Sequence, residues 1–107
     1  MSRDVKSEIQ AEVDTNPILL YSKGNKLMPQ CGFSAVAMEL LDRLGVEYKV
    51  VDVLADPEKR QALKEFSDWP TFPQLYVAGE LVGGADIMRE MHEKGELEPL
   101  LRKPLAS

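Results

Sequence analysis

The sequence predicts a single α/β domain over residues 1–107, and three observations carry that expectation. A mostly apolar run, "ILLYSK" (18–23), is followed by an amphipathic period from Phe33 to Leu44 and then by the β-branched stretch "VEYKVVDV" (46–53). That order implies a right-handed crossover joining two parallel strands. Further on, "PQLYVAGELVGG" holds two short strand patterns around Gly79, which read as a tight hairpin. Finally, 107 residues with 44% hydrophobic and 29% charged side chains are near the commonest domain size and suffice for one core.

Taken in order, Val5, Ile9 and Val13 stand at i, i+4 and i+8, which predicts a short helix ending before Asn16-Pro17. "ILLYSK" has no helical period and reads as a buried strand, and "GNKLMPQ" (24–30) as a loop. In the next helix Phe33, Val36, Ala37, Leu40, Leu41 and Leu44 form the expected inward face, with Gly45 as the C-terminal stop. Residues 46–53 read as a strand. Asp56-Pro57 is an N-cap followed by an N1 proline, opening a helix to about Ser67. Strands follow at 74–78 and 80–83, and "ADIMREMHEKGELEPLL" closes the chain as one or two helices with Ile87, Met88, Met91 and Leu97 inward. The predicted order is αβαβαββα, with no repeat and no linker.

A net charge of −5 and the absence of any lysine or arginine run exclude nucleic acid as a partner class. An anionic ligand must then be held by a few placed cations. One cysteine permits no internal disulfide, which points to a reducing compartment. The first residues lack an apolar core and carry acidic side chains unsuited to a transit peptide, and no stretch nears the ~20 apolar residues of a membrane span. The expectation is a soluble cytoplasmic protein with no membrane association.

The single cysteine, Cys31, precedes a helix, so unpaired N–H groups and the helix dipole favour its thiolate. Lys23 ends the preceding strand at the same sheet edge and adds positive charge. The competing reading is a buried, inert cysteine. Ser34 occupies the place of the second thiol in a C-x-x-C motif, and a hydroxyl cannot resolve a mixed disulfide. Any thiol cycle must borrow thiols from outside, unless Ser34 merely satisfies a backbone group in the first helical turn. In "WPTFPQLY" each proline holds its predecessor extended. By spacing alone the Phe72–Pro73 bond is expected to be trans, and Trp69 reads as ordinary packing. "GGADI" places Gly84, Ala85 and Asp86 at a helix start able to hold a carboxylate, though such a turn is also ordinary strand-to-helix chemistry. His92, among Glu90, Glu93 and Lys94, reads as a surface residue and not a metal ligand.

Together "KGNKLMPQ", "CGFS", "WPTFPQLYV" and "GGADI" resemble the monothiol glutaredoxins of the CGFS class, over nearly the whole chain. The resemblance implies a thioredoxin-like fold, a four-stranded mixed sheet flanked by helices, and a cis Phe72–Pro73 bond. It implies glutathione as the borrowed thiol. Lys23 and Arg60 would bind its glycine carboxylate, Thr71, Phe72 and Pro73 would flank its cysteinyl unit, and Gly84, Ala85 and Asp86 would receive its γ-glutamyl end. It further implies a 2Fe-2S cluster in a homodimer, each protomer giving Cys31, with delivery to iron-sulfur acceptor proteins and pairing with BolA-like proteins. Many members carry a second cysteine where this chain has Ala85, so a disulfide between that position and Cys31 is lost here. The alternative is a glutathione-dependent oxidoreductase using Cys31 as its sole nucleophile, and the bland reading is an interaction module. The loop before Cys31, longer than in dithiol relatives, by resemblance favours cluster binding over turnover.

Overall fold

A computed structural model describes residues 3–105. Helix α1 (Val5–Thr15) starts where the Asp4 carboxylate accepts from the Ser7 amide at 3.1 Å, a side-chain cap on an otherwise orphaned N–H. Its buried residues are Val5, Ile9 and Val13, the stripe the spacing predicts. Strand β1 (Ile18–Ser22) is buried along its whole length. It lies inside a four-stranded sheet ordered β2-β1-β3-β4, parallel to β2 (Lys49–Asp52) and antiparallel to β3 (Gln74–Val77), with β4 (Glu80–Gly83) at the far edge. The expected mixed sheet is therefore observed.

Because side chains alternate along a strand, β1 feeds two cores. Ile18 and Leu20 face helices α2 (Gly32–Arg43), α4 (Ala85–Glu93) and α5 (Leu97–Arg102), packing with Ala37, Leu41, Met88 and Leu101. Leu19 and Tyr21 face α1 and α3 (Pro57–Ser67), packing with Ile9, Val13, Leu63 and Tyr76. No described helix is long and apolar enough to cross a membrane.

Three expectations need correction. Strand β2 is shorter than 46–53, because β1 has no ladder to offer before Ile18: Leu19 is the partner of Lys49, and Pro17 lacks an N–H. Val46 and Tyr48 are buried all the same, and the Tyr48 hydroxyl donates to Asp42 at 2.7 Å. Phe33 does not point inward but is 58% exposed, since its side of the first turn of α2 faces the cleft described below while Ser34 in the same turn is buried; Met38 joins the core instead. Ile87, expected inward, is only half-buried and lies in the cleft described below.

Helices α1 and α3 are also joined by charge. Lys59, almost wholly buried, donates to Glu12 at 2.6 Å, and Glu12 accepts the Tyr21 hydroxyl at 2.7 Å. Burial, with help from that carboxylate, pushes the Tyr21 hydroxyl well up, so it stays a donor. At the mouth of the same seam Arg3 bridges Asp56 at 2.6 Å, while Asp56 also caps α3 by accepting from the Lys59 amide. The Arg3 guanidinium first and the Lys59 amide second hold the Asp56 carboxyl down at about 2.

Two outcomes follow from this geometry. The hairpin turn is Ala78-Gly79, with φ of 51° and 82°, the double left-handed conformation of a type I′ turn in which alanine is strained. Ala78 is exposed, so Ala78→Asn should raise stability by about 0.5–1 kcal/mol, measured as an increase of several degrees in Tm. For Asp56 the folded value lies below the ordinary 3.8, so its contribution is complete above about pH 4 and is lost as pH falls through about 2. Asp56→Asn keeps the cap acceptor but not the charge. Thermal melts should show it less stable than the parent by under about 1 kcal/mol at pH 6, after allowing for solvent screening, with the gap closing by pH 2.

Candidate functional site

The crossover from β1 to α2 brings Lys23, at the strand end, beside Cys31, the N-cap of α2. Cys31 has extended backbone geometry, with the first amides of α2 beyond it. Burial alone pushes the thiol up, but the backbone amides of Ser34 and Phe33, the Ser34 hydroxyl and lastly the Lys23 charge outweigh it. The net effect is a thiol below its ordinary range, partly exposed, as required of a nucleophile or ligand. The buried, inert reading of Cys31 does not hold.

Ser34 is fully buried, and its Oγ accepts from the Lys23 amide at 3.0 Å. It does satisfy a backbone group, but one on the neighbouring strand, not in its own helical turn. One hydroxyl thus ties β1 to α2 and stabilises the sulfur.

A cleft of about 380 Å³ opens at this point. Of the residues singled out in the sequence, Lys23, Cys31, Thr71, Phe72, Pro73, Gly84, Ala85 and Asp86 line it. Phe33, Trp69 and Ile87 also line it, and sequence reasoning had assigned all three to packing. Arg60 is not among the lining residues; it lies on α3, and its Nε is buried without a hydrogen-bond partner among the described residues. The Phe72–Pro73 bond is cis. Gln74, buried behind it, donates to the Trp69 and Thr71 carbonyls at 3.0 and 3.2 Å and so braces the segment that forms one wall. Next to that segment Gly84 caps α4, with Asp86 in the first turn. A side chain at Gly84 would stand 3.3 Å from the Pro73 carbonyl and 3.7 Å from Trp69 Nε1, so it would press the proline segment back by a few tenths of an ångström. His92 is half-buried on α4, and among the described residues no three His, Cys, Asp or Glu side chains gather as a metal-binding group.

The glutaredoxin family profile matches residues 18–82. The probable monothiol glutaredoxin GrlA of Legionella pneumophila is 58% identical over 89 residues, spanning 83% of this chain and all of the relative. This chain belongs to the monothiol glutaredoxin family. The solution structure of reduced poplar apo GrxS14 is 41% identical with a TM-score of 0.83, over 96% of this chain and 94% of that one. The crystal structure of a buckwheat glutaredoxin–glutathione complex is 27% identical with a TM-score of 0.85, over 95% and 91% respectively. The expected thioredoxin-like fold is thereby shown, and the cleft of this glutaredoxin sits where its sequence motifs converge.

The roles given to Ser34 are separable by experiment. Ser34→Ala should move the pH dependence of Cys31 alkylation by iodoacetamide to higher pH, because the sulfur loses a donor. It should also lower stability by about 1–3 kcal/mol, because the Lys23 amide is left unpaired in a partly buried place. An unmoved alkylation profile with unchanged Tm would remove Ser34 from both roles.

Proposed function

We propose that this glutaredoxin carries a 2Fe-2S cluster between two copies of the chain, each giving Cys31, with two glutathione molecules supplying the remaining thiolates. The observation that carries the reading is a lone, partly exposed thiol of lowered pKa at the lip of a cleft, in a chain with no second cysteine. Such a cluster takes four thiolates, so a protomer offering one must be completed by other molecules.

The cleft suits glutathione on its own chemistry. It has a cation at Lys23, a thiol at Cys31, and a carboxylate with a helix start at Asp86, so an anionic tripeptide with one free amine finds an opposite charge for both its carboxylates and its amine. The close approach of Gly84 to the Pro73 carbonyl sets the start of α4 beside the cis-proline segment, so a peptide lying along the cleft can meet both. In this reading Lys23 takes the glycine carboxylate, helped by Arg60, whose buried Nε has no partner among the described residues. Thr71, Phe72 and Pro73 flank the cysteinyl unit, and Gly84, Ala85 and Asp86 take the γ-glutamyl end. Glutathione supplies an exchangeable thiolate, so the cluster is cargo that acceptor proteins can take over, and a BolA-like protein can replace one protomer. A cytoplasmic, glutathione-rich setting fits this chemistry.

The lowered Cys31 thiol also favours one second reading. As a nucleophile, the Cys31 thiolate would attack the glutathione sulfur of a protein mixed disulfide and expel the protein thiolate. A second glutathione thiolate would then attack the Cys31-bound glutathione, releasing oxidised glutathione and restoring Cys31.

Anaerobic reconstitution with iron, sulfide and glutathione, read by visible absorption and native mass, separates the two. The expected product is a coloured assembly of two chains, two glutathiones and one cluster, absent without glutathione and absent in Cys31→Ser. A coloured Cys31→Ser dimer would end the ligand assignment. A colourless monomer that turns over a glutathionylated substrate would put the oxidoreductase reading first.

A further inference from the structure

We propose that Asp52 and Ser22 are positioning residues for the Cys31 site, gripping Gly24 from opposite sides so that the loop before the cysteine returns in one fixed register. Gly24 opens that loop and is buried, while Asn25 to Met28 are exposed and Leu27 stands 97% in solvent. It has a φ of +94°, and a side chain there would stand 2.5 Å from both the Gln30 nitrogen and the Met28 carbonyl. The loop therefore closes against Gly24 itself, and no other residue fits. Its N–H donates to Asp52 Oδ1 at 2.9 Å, and its carbonyl accepts from the fully buried Ser22 hydroxyl at 2.8 Å. The same Asp52 oxygen accepts from the Leu54 amide at 2.9 Å, so the carboxylate is itself held at the end of β2.

From Gly24 the constraint passes to the site through two further bonds. The Gln30 amide donates to the Lys23 carbonyl at 2.8 Å, and the Lys23 amide donates to Ser34 Oγ at 3.0 Å. Lys23 and Cys31, the cation and the thiol of the cleft, are thereby fixed relative to one another, and β2 is the outside anchor. Charge does not explain a carboxylate here. Coulomb's law makes Asp52 unfavourable to an anionic ligand nearby, so removing it for charge alone would tighten binding. The positioning role has the opposite sign.

The inference rests on glutathione as the cleft's ligand, and the test keeps the two apart. Glutathione affinity is measured by calorimetry, and amide exchange at Gly24 and Gln30 by NMR, for the full chain and for Asp52→Ala, Asp52→Asn and Ser22→Ala. Asn keeps the Oδ1 acceptor and drops the charge. Asp52→Ala should weaken glutathione about five- to tenfold and speed exchange at Gly24 and Gln30 by a similar factor, while the core amide of Leu20 keeps its protection. Asp52→Asn should restore both to within about twofold. Ser22→Ala should give the same direction, and it carries the test if Asp52→Ala does not fold. Glutathione binding that tightens or stays equal in Asp52→Ala, with exchange at Gln30 unchanged, overturns the proposal. A parent chain that does not bind glutathione overturns the glutathione reading instead, and the exchange comparison still decides the positioning role.

Discussion

The hydrogen bond from the Lys23 amide to the buried Ser34 hydroxyl joins the end of the central strand to the start of the helix beside it. Everything at the site hangs on where those two ends meet. Strand β1 has no freedom of its own, because its residues are buried alternately in two separate cores and it is paired on both sides. Helix α2 is held by Ala37, Met38, Leu40 and Leu41 against one of those cores. The strand brings a cation and the helix brings a thiol with its row of unpaired amides. A hydroxyl both accepts and donates; Ser34 takes the strand's amide and is also among the groups that hold the Cys31 thiol down.

The distribution of charge supports the same site. The chain is acidic by five charges, and several cations on the α1 and α3 side are paired locally: Arg3 with Glu8 and Asp56, Lys59 with Glu12. Lys23 takes part in none of the ion pairs found among the described residues and lines the cleft instead. What sets Lys23 apart is its place beside Cys31 and the start of α2, where its charge and the helix N-terminus favour an anion together. Elsewhere the surface discourages polyanions.

Most of the fold was legible because local rules sufficed. The i, i+4, i+8 stripe of α1, the Asp56-Pro57 start of α3 and the Gly79 hairpin each rest on contacts within one turn or one pair of strands. The site was legible for another reason: its motifs match a family, and eight of the nine residues that match singled out line one cleft. What escaped depends on contacts far apart in sequence. The helical period sends Phe33 inward, but it cannot say that a cleft opens beside the first turn of α2. The β-branched run sends the second strand back to residue 46, but it cannot say that Pro17 ends its partner. Trp69 joins the cleft through Gly84, and Asp52 reaches Gly24 across 28 positions. No periodicity records either.

The serine at position 34 is then more than a missing thiol. The position is fully buried and must accept from a strand amide. A thiol is a weaker acceptor and a weaker donor than a hydroxyl, so a cysteine there would loosen the joint that sets the geometry of Cys31. A resolving thiol and a rigid single-thiol site make opposing demands on that one position. With serine in place, nothing bound to Cys31, whether a disulfide or a metal centre, can be displaced from within the chain. Release must come from a second molecule that brings its own thiol. That makes the lifetime of whatever Cys31 holds a property of encounters at the cleft mouth, where Lys23 and Asp86 set the charge and the exposed Phe33 ring sets the apolar contact.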